Sequence, residues 1–191
     1  RIACGSGDPC GWRCIGYPLA MHRLFVALRP PPDVRAALLA AEGEVERARW
    51  QDEDQLHLTL RFVGDVDRHQ ADDLADALGS VSAPAFDLTV RGVGHFERKG
   101  RPTALWAALA PCAGLDLLAG RIERACRAAG LAPETRKFVP HVTLARLSGG
   151  ATGAGEWLSR HGDLAAPVWS VDAFRLYESR MGSGGSVYTS L

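Results

Sequence analysis

The chain has 191 residues, 47% of them apolar and 23% charged. That suits one soluble domain, or two small lobes sharing a core, and excludes disorder for the body of the chain. Lys plus Arg and Asp plus Glu are 22 each, which excludes a generally basic nucleic-acid coat, so any phosphate binding must be local.

Residues 1–20 differ from the rest. They hold Cys4, Cys10 and Cys14, show no hydrophobic period, and precede the first methionine, Met21. No long apolar stretch follows a basic start, so they make a poor signal peptide. A mis-set start, a floppy extension, and a small metal or disulfide knot all remain open. The spacing C-x5-C-x3-C lacks the paired C-x2-C of a zinc site, which weakens the last. The domain is therefore expected over 21–191.

His22–Leu28 is a short apolar, strand-like run, and Pro30–Pro32 ends it. Apolar residues at 34, 37, 38, 41 and 45 predict a helix over about 33–48. Leu56–Phe62 alternates like a strand, and Asp72–Leu78 reads as helix. Phe86–Val90 and Thr103–Leu109 are further strands, joined by a loop or hairpin at Arg91–Arg101. Leu115–Ala129 is an amphipathic helix ended by Gly130. His141–Leu147 is a strand and Gly149–Gly155 a flexible loop. Glu156–Arg160 makes a helical turn or two, and Val168–Tyr177 is strand-like. Ser186–Leu191 forms a last strand after the turn Gly182-Ser-Gly-Gly. Strands and helices mix without regular alternation, so the fold class is α+β with mostly antiparallel sheets. No apolar run nears the roughly 18 residues of a membrane span. Cys112 and Cys126 read as buried, reduced thiols, and nothing asks for an oxidising compartment; a cytoplasmic monomer is the default expectation.

The chemistry lies in a repeat. Residues 55–62 read QLHLTLRF and residues 139–146 read VPHVTLAR, so His-x-Thr-Leu occurs at 57 and again at 141. A shuffled chain of this composition holds about 0.03 copies of that pattern. On a strand, residues i and i+2 share a face. His57 and Thr59 therefore point one way and Leu58 and Leu60 the other; His141 and Thr143 likewise lie opposite Val142 and Leu144. Two such strands facing each other would build a cleft with two imidazoles and two hydroxyls. Two histidines that titrate near neutrality can act as base and acid in one displacement. Two hydroxyls can donate to the non-bridging oxygens of a phosphate. Neither His-x3-His spacing nor a carboxylate or thiol ligand travels with the repeat, so no metal and no cofactor is called for. A structural role for each strand histidine is the bland alternative, and the duplication outweighs it.

With these motifs in hand, the chain resembles the 2H phosphoesterase superfamily. Within it, the chain is most similar to RNA 2′,3′-cyclic phosphodiesterases, also called 2′-5′ RNA ligases. The stretches that carry the resemblance are MHRLFVAL (21–28), QLHLTLRFVG (55–64), GHFERKGRPTALWA (94–107), RKFVPHVTLAR (136–146) and FRLYESRMGSGGSVY (174–188). Residues 1–20 have no counterpart, which supports a start at Met21. The resemblance implies a bilobal fold with pseudo-twofold symmetry and a cleft between the lobes. It implies hydrolysis of a terminal 2′,3′-cyclic phosphate to a 2′-phosphate, and ATP-independent joining of tRNA halves, both without metal. His57 and His141 carry over as catalytic residues and Thr59 and Thr143 as phosphate ligands, with acid and base roles left open.

Five residues after each histidine stand Phe62 and Arg146, positions that flank the terminal base in relatives. A ring and a guanidinium on either side of a base suit single-stranded RNA. Phe62 as core and Arg146 as a surface partner is the alternative, and Arg146 can equally touch phosphate. Arg61 lies on the His57 face if the strand stays regular, and would then reach phosphate. Arg136 and Lys137 form the best local basic patch for RNA backbone, with Arg98, Lys99 and Arg101 as a second candidate. Asp52, Glu53 and Asp54 would repel RNA and are placed outside the cleft. His22, His69, His95 and His161 read as structural or solvated. Two rival functions remain: a non-catalytic RNA-binding module, and a related enzyme for a small cyclic nucleotide.

Overall fold

Of the seven residues in His22–Leu28 only Arg23 is exposed, so this strand is covered on both faces and must lie inside a sheet. In the computed structural model, which describes residues 3–4, 21–182 and 185–191, it does.

The chain runs through two similar halves. The first holds β2 (His22–Leu28), α1 (Pro32–Leu39), β3 (Ala48–Trp50), β4 (Leu58–Val66), α2 (Arg68–Gly79), β5 (Phe86–Leu88) and β6 (Val90–Arg98). The second holds β7 (Arg101–Leu109), α3 (Ala113–Ala128), β8 (His141–Leu147), α4 (Ala154–Arg160), β9 (Trp169–Val171) and β10 (Ala173–Gly182). Two short pieces flank them, β1 (Ala3–Cys4), parallel to β10, and β11 (Gly185–Ser190), antiparallel to it.

The main sheet orders its strands β1-β10-β2-β4-β8-β7-β6, with β3 added on β8 and β11 on β10. Its middle is symmetric about the β4–β8 contact. The last strand of each half crosses over: β6 pairs with β7, and β10 pairs with β2. β5 and β9 pair with each other in a small second sheet. The α+β, bilobal, mostly antiparallel fold is as the sequence implies.

The main core lies on one face of the sheet. There Leu24, Val26, Leu58, Leu105, Val142 and Phe174 meet Leu38, Leu74, Leu118 and Ile122 of the helices, all 1% exposed or less. Burying a leucine in such a place stabilises by roughly 1.5–3 kcal/mol. On the opposite face Phe25, Ala27 and Tyr177 form a second, smaller cluster with Tyr188 against it.

The helix expected over 33–48 stops at Leu39. Beyond it the backbone must pass Trp157, whose indole N–H donates to the Ala41 carbonyl (2.8 Å), while a Cβ on Gly43 would sit 3.1 Å from the indole ring. The apolar spacing through Ala41 and Val45 reports burial in a turn, and Ala48–Trp50 continues as an unforeseen strand on β8. The loop at Arg91–Arg101 is a hairpin, turning at Lys99 and Gly100, both with positive φ. Helix α4 starts at Ala154, inside the expected Gly149–Gly155 loop. The strand-like run 168–177 divides into β9 and β10. Gly182 and Gly185 pair across the last hairpin, while Ser183 and Gly184 between them, and residues 1–20 apart from Ala3 and Cys4, lie outside the described residues.

Candidate active site

Strands β4 and β8 share a single residue pair, Leu58 with Val142. Both side chains are fully buried in the main core. Antiparallel register then sets Thr59 beside His141 and His57 beside Thr143, all four on the opposite face. The two copies of the repeat thus meet at the symmetry axis, as neighbours in one sheet.

The same backbone device orients each imidazole. Nδ1 of His57 lies 2.7 Å from the Gln55 carbonyl, and Nδ1 of His141 lies 2.7 Å from the Val139 carbonyl. A carbonyl only accepts, so Nδ1 carries the proton in each ring and the lone pair of a neutral ring is on Nε2. Gln55 is itself fixed: its N–H donates to Asp52 Oδ1 (3.0 Å), and its side-chain amide donates to the Ser186 carbonyl (3.0 Å). Aromatic rings wall both histidines. Phe25 and Tyr188 lie 4.9 and 5.0 Å from His57, centroid to centroid. Phe96 and Trp106 lie 4.8 and 5.9 Å from His141. Gly94 makes room for Trp106, because a Cβ there would overlap the indole.

Burial in these walls lowers the basicity of both rings. His57 is pushed down to about 4, chiefly by desolvation, against the Gln55 hydrogen bond, with Arg146 and then His141 lowering it further. His141 is also lowered, first by desolvation and then by Arg146, against its bond to Val139. Neither Nε2 nor either threonine hydroxyl bonds to any described residue, so all four groups are available to a ligand.

Both strands carry a bulge at the motif's own leucine. Ala27 pairs with Thr59 but Val26 with Arg61, and Trp106 pairs with Thr143 but Leu105 with Ala145. Leu60 and Leu144 are the extra residues, and both stay buried. The bulge shifts the alternation by one. Phe62 therefore comes to the histidine face opposite Phe25, and Arg146 comes to it opposite Ala104.

This corrects two expectations. Arg61 is opposite the core residue Val26, on the helix face, because the strand is not regular. Its guanidinium pairs with Glu123 (2.8 Å) and Glu134 (3.3 Å) and donates to the Ala132 (2.6 Å) and Phe62 (2.9 Å) carbonyls. It ties α3 and the 132–134 segment to β4, away from the histidines. Second, Phe62 and Arg146 do not face each other across one base. Each stands four residues along its strand from the Leu58–Val142 pair, in opposite directions, on the order of 20 Å apart along the sheet.

The remaining charges sort by partner. Arg136 is held by Glu134 (2.9 Å), whose carboxyl it keeps down near 2, while the adjacent Lys137 makes no ion pair among the described residues. Arg98, Lys99 and Arg101 are exposed at the β6–β7 hairpin. Asp54 pairs with Arg29 and Glu53 with Arg35, and Asp52 caps the turn before His57. His22 is buried against Glu178 (2.8 Å), His161 stacks on Trp157, His95 lies 3.8 Å from Glu97, and His69 is exposed on α2. Among the described residues no three His, Cys, Asp or Glu side chains gather to hold an ion.

A cavity of about 850 Å³ opens beside one half of this centre. Thr59, Phe62, Phe96, Phe138 and His141 line it, with Ala119 and Gly120 of α3 behind them. Of these phenylalanines the sequence reading singled out Phe62, and it missed Phe96, Phe138 and the bulges. Phe96 and Phe138 carry no spacing signal, and a bulge leaves none in strands of nine and seven residues.

The twofold repeat is matched in known proteins. The family model described as LigT-like phosphoesterase fits residues 28–106 and again residues 109–188, once per half. The chain belongs to this family. Among curated LigT-like relatives, the RNA 2′,3′-cyclic phosphodiesterase of Thermus thermophilus is 34% identical, over 88% of this chain and 87% of its own. That of Aeropyrum pernix is 32% identical, over 73% of this chain and 81% of its own. The crystal structure of Escherichia coli LigT complexed with 3′-AMP superposes with a TM-score of 0.73 at 28% identity, covering 90% of this chain and 96% of that one.

Proposed function

We propose that the chain is an RNA 2′,3′-cyclic phosphodiesterase that opens a terminal cyclic phosphate to a 2′-phosphate. The observation that carries the reading is the pair of Nε2 atoms, each left bare by an Nδ1 bond to the carbonyl two residues back, with a threonine of the other strand beside each. One imidazole takes a proton from the attacking water. The other gives a proton to the 3′ oxygen as its bond to phosphorus breaks, and the 2′ ester remains. Thr59 and Thr143 donate to the non-bridging oxygens and hold the charge that grows on them. Both proton transfers come from side chains, so the scheme needs no metal.

The substrate's own charge completes the site. Desolvation lowers both histidines in the free protein, and a bound phosphate anion favours the imidazolium. Arg146 stands on the histidine face, where its charge lowers both rings, and is the natural partner of the anion; Lys137 is a second contact for the RNA backbone. RNA ends, tRNA halves included, are the proposed substrates of a cytoplasmic monomer. Cys112 and Cys126 are free thiols, as suits a reducing compartment, and no described helix is long and apolar enough to cross a membrane.

The deciding experiment incubates the protein, in EDTA, with a short RNA ending in a 2′,3′-cyclic phosphate. A 2′-phosphate product, absent with His57→Ala, is the expected result. Binding without turnover would replace this reading with an RNA-binding module, and turnover of mononucleotides alone would point to a small cyclic nucleotide.

A further inference from the structure

Charge is uneven around the two histidines. Beside the cavity, Arg61, Glu123, Glu134 and Arg136 neutralise one another. The other flank, over β2 and β10, holds a buried phenol whose donor has no partner. Tyr177 stacks on Phe25 with ring centroids 5.3 Å apart, and Phe25 lies 4.9 Å from His57. Tyr177 is only 6% exposed, yet its hydroxyl makes no hydrogen bond to any described residue. Burial raises its pKa, against the pull of Arg175 and then Arg29, so the hydroxyl keeps its proton and can donate it.

Register sets Arg175 in line with the reacting centre. Arg175 is opposite Ala27 on β2, and Ala27 is opposite Thr59 on β4. Directly opposed residues share a face, so the three form one row on the histidine side. Two strand spacings, about 10 Å, separate the backbones of Arg175 and Thr59. Arg175 is exposed and makes no ion pair among the described residues. Arg29, two residues beyond Ala27, is also exposed, and its partner Asp54 (2.7 Å) is 88% exposed. So wet an ion pair is weak and yields to a phosphate. Asp52 and Glu53 are engaged, one as a cap and one with Arg35. The flank thus turns two guanidiniums and a protonated phenol, donors all, toward an anion. Successive phosphates of a strand are one ribose apart. An RNA end held at Thr59 therefore brings its next phosphate within reach of Arg175.

We propose that Arg175, Arg29 and Tyr177 bind the phosphodiester that precedes the last nucleotide of the RNA, so that the strand leaves the centre over β2 and β10. The inference rests on the phosphodiesterase reading above and adds a length requirement to it. A mononucleotide fills the centre but leaves this subsite empty.

The test compares kcat/KM on adenosine 2′,3′-cyclic phosphate with that on the dinucleotide ApA ending in the same group. The native chain should favour ApA by roughly tenfold or more, the order that one charge-assisted contact gives. A neutral methylphosphonate in place of the internal phosphate should abolish the advantage. Added salt should erode it with a log–log slope of about 0.7, one phosphate's worth for a single strand. Arg175→Gln should cut the ratio of the two kcat/KM values by roughly fivefold or more, and Tyr177→Phe, which keeps the ring stack, by roughly threefold. Circular dichroism confirms that each variant is folded. Equal loss on both substrates would overturn the proposal and put Arg175 at the reacting phosphate. An advantage that survives the methylphosphonate, or Arg175→Gln combined with Arg29→Gln, would overturn it too. Equal kcat/KM of the native chain on both substrates would overturn the subsite alone. Turnover of neither would overturn the phosphodiesterase reading, and the subsite with it.

Discussion

Each histidine of the repeat is held by one short bond, and that bond decides what the ring can do. Nδ1 is committed to a carbonyl, so every exchange of protons with a substrate passes through Nε2. His57→Ala and His141→Ala should each reduce turnover by roughly 10²–10⁴-fold, since each ring serves one proton transfer. Single-turnover rates with circular dichroism to confirm folding check this; full activity in either variant would end the two-histidine scheme. Burial adds a signature in pH. The folded chain holds His57 near 4 against 6.5 when unfolded, so the unfolded chain binds the proton more readily between those values. Stability is then fully present above about 6.5 and falls as pH drops toward 4, by about 3 kcal/mol for this one ring. Urea titrations at pH 7, 5.5 and 4 should show the slope, and His57→Asn should remove about one proton's worth of it. An identical slope in that variant would mean that His57 titrates as an exposed ring. The histidines and threonines themselves were legible in the sequence because the pattern occurs twice. Arg61 was misjudged because i and i+2 share a face only in a regular strand.

At the scale of the element, the bulge is the feature that shapes the site. The bulged leucine of each motif turns Phe62 and Arg146 to the histidine face and sends Arg61 back among the helices. Arg61 there acts on the segment 132–139, which ends in the carbonyl that orients His141. It is a positioning residue, and its clamp can be broken without touching the substrate. Arg61→Met keeps the aliphatic stem but removes the charge that Glu123 and Glu134 face, at a cost of about 2 kcal/mol, scaled down from a fully buried pair because both carboxylates keep some water. It should lower kcat with little change in KM, and narrow or shift the pH profile of kcat, because His141 loses its fixed tautomer before substrate contacts are lost. A pure rise in KM would instead assign Arg61 to the RNA. Element types were largely legible, since α3 and β8 lie within about two residues of where their patterns predict them. The end of α1 was not, because the apolar period runs on through a turn that Trp157 caps from the other half.

The whole molecule is joined in a way that its repeat does not announce. Each half donates its last strand to the other, so β2 is completed by β10 and β7 by β6, while β4 and β8 touch through one pair at the active centre. A repeat in sequence suggests two units that fold alone, but this topology denies it. Cut between the halves at Lys99–Gly100, the exposed hairpin turn, residues 21–99 would carry β6 without β7 and β2 without β10. That leaves two long edges unpaired and the apolar faces of Leu24 and Val26 short of cover. Each half alone should therefore be unfolded or aggregated, with weak amide-exchange protection throughout. Mixed, the halves should recover the sheet, because the crossed strands are the contact. The histidines come one from each half, so activity should return together with folding and fall off steeply on dilution. A half that folds alone would show that the pairing within each unit suffices. It would also separate the integrity of the lobes from that of the active centre, which the crossed strands otherwise make one cooperative event.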